Sequence, residues 1–163
     1  MKKAKKLLWV AMAMLTFAAC GDDDKNDDSP KQSEMSFIGK VDVNNGYYYQ
    51  DSVESKMKFG NSLADFTLYK VRFSSHMPVT IDMSLDNMIY KVNGSDTTIS
   101  YDSIIPKVAG NPMNKYTMHN LAIKVTKDSI FFNALCGENT SAASVLTIDY
   151  KAARCYSTKM YKY

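Results

Sequence analysis

With 163 residues, 45% of them hydrophobic and 23% charged, the chain has the size and balance of one soluble domain with a single core. Its formal net charge of +3 hides a segregation: Lys2, Lys3, Lys5 and Lys6 stand at the amino terminus, and residues 20–163 hold 16 basic against 17 acidic groups. Residues 21–34 carry −4 and residues 35–163 carry +3, with lysines spread singly, so no basic stripe for nucleic acid is present and no nucleic-acid partner is expected.

Residues 1–19 have the three parts of an export signal: the basic run, an apolar run from Leu7 to Ala19, and small residues at the cut. The apolar run is about 13 residues, short of the roughly 20 that a helix needs to cross the hydrocarbon core. Leu15-Thr16-Phe17-Ala18-Ala19-Cys20 followed by Gly21-Asp22-Asp23-Asp24 resembles a bacterial lipoprotein cleavage and acylation site. The resemblance implies that Cys20 becomes the lipidated amino terminus. Acyl chains bind membrane at about 0.8 kcal/mol per buried CH₂, so a membrane partner reached through Cys20 is expected. A secreted protein cut after Ala19, with Cys20 unmodified, is the competing reading.

Residues 20–34 read as the acylated cysteine and an acidic, solvated tether, since Gly21 to Glu34 has no aromatic or aliphatic side chain with which to offset the entropy of ordering. The acidic run also resembles the surface-export signal of lipoproteins from the Bacteroidetes group, which implies outer-membrane, lipid-anchored display on the cell surface. A plain charged linker is the alternative.

From residue 35 to 163 the chain reads as strands. Ser36 to Val43, then Asn44-Asn45-Gly46, then a run from Tyr47 in which Val53, Ser55, Met57 and Phe59 alternate with charges, predict a hairpin. Phe66 to Phe73 is a third strand, with Tyr69, Val71 and Phe73 expected on one face. Ser74 to Pro78 breaks it. Val79, Ile81, Met83 and Leu85 alternate with Thr80, Asp82 and Ser84, as a half-buried strand does.

Met88 to Val92 and Thr97 to Tyr101 flank Asn93-Gly94-Ser95-Asp96, predicting a second hairpin. Asp102 to Asn114 reads as a long irregular connection of the kind that carries binding sites. Tyr116 to Val125 is a strand with an irregularity near Asn120, and Thr126-Lys127-Asp128 turns it into Ile130 to Leu135. Val145 to Ala152 alternates as the last long strand, and Tyr156 to Tyr163 is read as a short closing one. Eight to ten strands joined by mostly short turns predict an all-β antiparallel meander, barrel or sandwich.

Taken in order, Tyr69-Lys70-Val71-Arg72-Phe73, His76 to Met83, Asp102 to Pro106, Tyr116 to Leu121, Asp128-Ser129-Ile130 and Cys136-Gly137 resemble the calycin-like domain of Bacteroidales lipoproteins. The resemblance covers residues 36–150 and implies an antiparallel calycin- or lipocalin-like β-barrel. It assigns no activity.

Three cysteines are present, and acylation of Cys20 leaves Cys136 and Cys155. An exported address permits a bridge between them, worth roughly 3 kcal/mol for a loop of about 20 residues. Two free thiols acting as small apolar side chains are the other reading. The only histidines, His76 and His119, share no ligand spacing with each other or with cysteine, so no metal or cofactor is expected. No Gly-x-Ser-x-Gly elbow, phosphate loop or Cys-x-x-Cys occurs. Carboxylates such as Asp82 and Asp86 exist, but spacing alone does not set two across a cleft. An enzyme is not expected, and a hydrolase stands last among the readings.

The consecutive Tyr47, Tyr48 and Tyr49 must alternate faces, leaving a ring in solvent that can stack on a sugar or line a partner patch, or that is simply a good strand residue half in water. The expectation is a surface lipoprotein with a non-catalytic binding or interaction domain, its partner a surface protein or glycan. The alternative is a lipocalin-type carrier of a small apolar ligand, because an eight-stranded barrel is either just filled or holds one ligand. Large residues read as inward, Phe73, Ile81, Met83 and Phe131, favour a filled interior.

Overall fold

The computed structural model describes residues 33–139 and 145–156; Cys20, the signal, most of the tether and the closing run 157–163 lie outside them. Eleven strands form one antiparallel sheet, curled into a half-barrel: β1 (Ser33–Val43), β2 (Tyr48–Phe59), β3 (Leu63–Val71), β4 (Ile81–Ile89), β5 (Lys91–Asn93), β6 (Asp96–Ile104), β7 (Lys107–Val108), β8 (Asn111–Pro112), β9 (Met118–Val125), β10 (Ser129–Cys136) and β11 (Leu146–Arg154). Their spatial order is β5-β6-β9-β10-β11-β1-β2-β3-β4-β7-β8. The first and last long strands of the chain, β1 and β11, therefore pair in the middle of the sheet. At the two ends of the curl, the Ile89 amide of β4 donates to the Tyr101 hydroxyl of β6 at 2.6 Å.

Alternation decides which face is buried. Along β2, Val53, Ser55 and Met57 are buried; along β11, Ile148, Tyr150 and Ala152 are. The predicted turns hold as well: Asn44, Asn45 and Gly46 all take positive φ between β1 and β2, and a two-residue Gly94-Ser95 turn joins β5 to β6.

Four β-bulges bend the sheet, each at a non-glycine residue with positive φ: Ser52 in β2, Lys70 in β3, Asn87 in β4 and Asn120 in β9. In two of them the residue on the facing strand satisfies the displaced amide. Asp82 accepts from the Lys70 N–H and Asp65 from the Asn87 N–H, both at 2.8 Å. The Lys70 bulge also resets the alternation, so that Phe66 and Leu68 face inward, Tyr69 is only half-buried, and Val71 and Phe73 return to the core.

Several expectations are corrected. β1 starts at Ser33, inside the stretch read as tether: Ser33 and Glu34 already pair with Phe59 and Lys58 of β2, and Glu34 reaches Lys56 at 2.8 Å. Val79 is 63% exposed, since pairing of β4 begins only at Ile81. The connection from Asp102 to Asn114 is largely ordered: β6 runs on to Ile104, and β7 pairs with β4 before turning through Ala109-Gly110 into β8. Tyr156, the one described residue of the proposed closing run, belongs to no strand.

Candidate binding surface

The interior is closed by aromatic side chains from opposite parts of the curl. Phe66 on β3 stacks on Phe132 of β10 with ring centroids 5.7 Å apart, and lies 6.4 Å from the ring of Tyr150 on β11. All three are fully or almost fully buried. The Tyr150 hydroxyl donates to the Val53 carbonyl at 2.9 Å and lies 3.1 Å from the Ser55 hydroxyl, so the polar tip is satisfied within the core. Burial pushes its pKa up to about 12, and Ser55 only partly offsets this.

Phe131, read from sequence as inward, points outward at 43% exposure while Phe132 takes the core position. The sequence did hold the deciding signal: Asn133 has the parity of Phe131, whereas Ile130 and Ala134 have that of Phe132.

This reversal gives the outer face its character. Two rows of outward residues run across neighbouring strands, the first over three and the second over four. In the first, Phe131, Lys151 and Lys40 are direct cross-strand partners on β10, β11 and β1; in the second, Asn133, Asp149, Asp42 and Tyr49 follow each other from β10 to β2. Like charges thus stand directly opposite twice, Lys40 with Lys151 and Asp42 with Asp149, an arrangement that costs stability in a sheet. Among the described residues, none of these four groups forms an ion pair. Asp149 accepts from the Asn133 amide at 2.8 Å, Asp42 from the Gly46 N–H at 2.6 Å, and the Lys40 ammonium lies 4.1 Å from the centre of the Tyr49 ring.

Two depressions meet there. One, of about 280 Å³, crosses β6, β9, β10 and β11 over the small, exposed Ala122 and is bordered by Phe131, Asn133 and Lys124. The other, of about 270 Å³, lies among Lys40, Asp42, Asn45, Asp149 and Lys151. Asp149 and Lys151 border both.

The remaining sequence candidates are dispersed. Cys136 is buried at one end of β10, opposite Leu146, with its thiol pushed up to about 12 by burial; Cys155 is exposed, just beyond the far end of β11. Nine residues of extended strand, about 30 Å, lie between the level of Cys136 and that of Cys155, whereas a disulfide needs Cα atoms within about 7 Å. Both thiols are accordingly free, which is the second of the two readings left open by the sequence.

His76 sits in an exposed turn next to Ser75, and the His119 ring is 3.1 Å from the Gly137 carbonyl. Asp82 serves the Lys70 bulge, while Asp86 pairs with Lys107 at 2.9 Å. Burial raises the Asp86 carboxyl, but hydrogen bonds from Lys107 and Ser84 together with the lysine charge hold it below its ordinary value. Among the described residues no group of three His, Cys, Asp or Glu side chains is placed to hold a metal, and no helix is long and apolar enough to cross a membrane.

No family model, characterised protein or solved structure matches the chain.

Proposed function

We propose that this protein is a lipid-anchored lipoprotein of the bacterial cell surface whose calycin-like β domain is a non-catalytic binding module working through its outer face. The packed interior carries this reading. A carrier of the lipocalin type needs a cavity of several hundred Å³ between its walls, and here Phe66, Phe132 and Tyr150 meet in that position. The outer face, in contrast, presents two exposed rings and four charged groups that form no ion pair among the described residues. The lipoprotein-like junction at Cys20 supplies the address and the acidic run after it supports display toward the medium.

The address is tested by expressing the full chain in a bacterium with a lipoprotein-processing pathway and feeding labelled palmitate. Label is expected on the wild-type protein and absent from Cys20→Ser, and protease added to intact cells is expected to remove the domain. An unlabelled wild-type protein, or one protected from protease until the cells are broken, would reject the anchor or the display respectively.

A further inference from the structure

Resting on the reading of an outer binding face, we infer that the surface spanning β6, β9, β10, β11, β1 and β2 binds a neutral polysaccharide chain, with Phe131 and Tyr49 as stacking platforms and Asn133, Asp149, Asp42, Lys151 and Lys40 as hydrogen-bonding groups. Its charge pattern selects the ligand class. Two ammonium groups and two carboxylates sit side by side with no net charge, so an anionic ligand meets the carboxylates and a cationic one meets the lysines. A polyol meets neither penalty, because each hydroxyl donates to a carboxylate and accepts from an ammonium.

Among the described residues none of the four charged groups forms an ion pair, and each carboxylate keeps acceptor capacity beyond the single bond it takes from Asn133 or Gly46, while Lys40 covers one face of the Tyr49 ring and leaves the other to a ligand. The rings mark the ends of the charged patch. Phe131 on β10 and Tyr49 on β2 are three strand spacings apart, about 14 Å, and are 43% and 56% exposed. An aromatic face gives apolar contact to the C–H side of a sugar ring while its hydroxyls remain hydrogen-bonded.

The shape argues against a peptide. Peptides add to open sheet edges or sink side chains into deep apolar pockets, and this surface lies in the middle of the sheet over a shallow floor at Ala122. The two adjoining depressions reach from β6 to β1, four strand spacings or about 19 Å, a length suited to an extended chain of several sugar units.

The test is affinity electrophoresis of the full chain in mild detergent, through native gels containing dextran, a mixed-linkage β-glucan, mannan, xylan or galactan, with polygalacturonate and chitosan as charged comparators. At least one neutral polymer is expected to retard the protein, equally with and without 0.5 M NaCl. Tyr49→Ala and Phe131→Ala are each expected to weaken that retention at least fivefold and together to abolish it, while Tyr49→Phe retains it; circular dichroism checks that each variant is folded.

Retardation by none of the neutral polymers, retardation by a charged polymer alone that salt removes, or retention unchanged in the double variant would overturn the proposal. So would a concentration-dependent dimer in sedimentation that Phe131→Ala dissociates, since a second copy would then cover the face. A chain that is acylated and displayed yet binds no glycan sinks this inference alone, whereas loss of the label or of protease access strikes the proposed address.

Discussion

Replacing Phe66 by Ala is expected to lower the free energy of unfolding by about 4 kcal/mol, whereas Phe131→Ala is expected to change it by less than about 0.5 kcal/mol. Both changes delete the same phenyl ring, so the difference lies entirely in where the ring stands. Phe66 is fully buried and packs against Phe132 and Tyr150 from across the curl, and these neighbours, anchored on two other strands, cannot collapse into the space it leaves. Phe131 leaves nothing behind but water. Urea unfolding of the two variants beside the wild type measures the contrast through the midpoint at constant slope. Equal effects would mean that the inward and outward faces of β10 have been exchanged.

Gly39→Ala is expected to destabilise the domain by about 3 kcal/mol, for the opposite reason. Gly39 lies on β1 directly opposite Ala152 of β11, and a Cβ built there runs into the Lys151 carbonyl and the Ala152 backbone and methyl group. Backbone cannot yield as a flexible side-chain tip can. The strands β1 and β11 would have to separate, and because they pair in the middle of the sheet the strain passes to both halves. Gly60→Ala is the matched control: its nearest neighbour would be the Leu63 carbonyl at 3.4 Å, an ordinary contact. Thermal unfolding is expected to show a midpoint lower by about 10 °C or more for Gly39→Ala and little change for Gly60→Ala. Similar midpoints for the two would show that β1 and β11 are not in close apposition at Gly39.

Much of the fold could be read because its period is local. The β1–β2 hairpin at Asn44-Asn45-Gly46, the β5–β6 hairpin at Gly94, the irregularity at Asn120 and the inward set Ile148, Tyr150 and Ala152 follow from turn chemistry and parity, which neighbouring residues alone determine. One misreading falls where parity is reset. A bulge at Lys70 places Leu68 and Val71 in the core with two residues between them instead of one, and nothing in Tyr69-Lys70 announces it; its stabilising partner, Asp82, comes from the next strand. The same nonlocality hid the role of Asp82, which looks like a free carboxylate until β4 is laid beside β3.

The proposed binding face was less legible than the fold. Phe131 and Phe132 are adjacent and chemically alike, so only the company of Asn133 distinguishes them. The pairing of Lys40 with Lys151 and Asp42 with Asp149 joins residues more than a hundred positions apart, through the contact between the first and last long strands. The free thiols have the same origin. Cys136 and Cys155 are near in sequence, but an extended strand carries the chain from the level of one to the far end of the sheet.

The central claim is that the interior is occupied by the protein's own side chains and that partners meet the outer face. Native and denaturing mass spectra of the full chain, purified in detergent, test it most directly, because any covalently attached group appears in both while a molecule held in a cavity appears only in the first. The same mass is expected under both conditions, with no deficit of two hydrogens from a Cys136–Cys155 bridge. An additional mass of a few hundred daltons in the native spectrum, lost on denaturation and absent from the detergent, would contradict the account and point to a ligand-filled barrel.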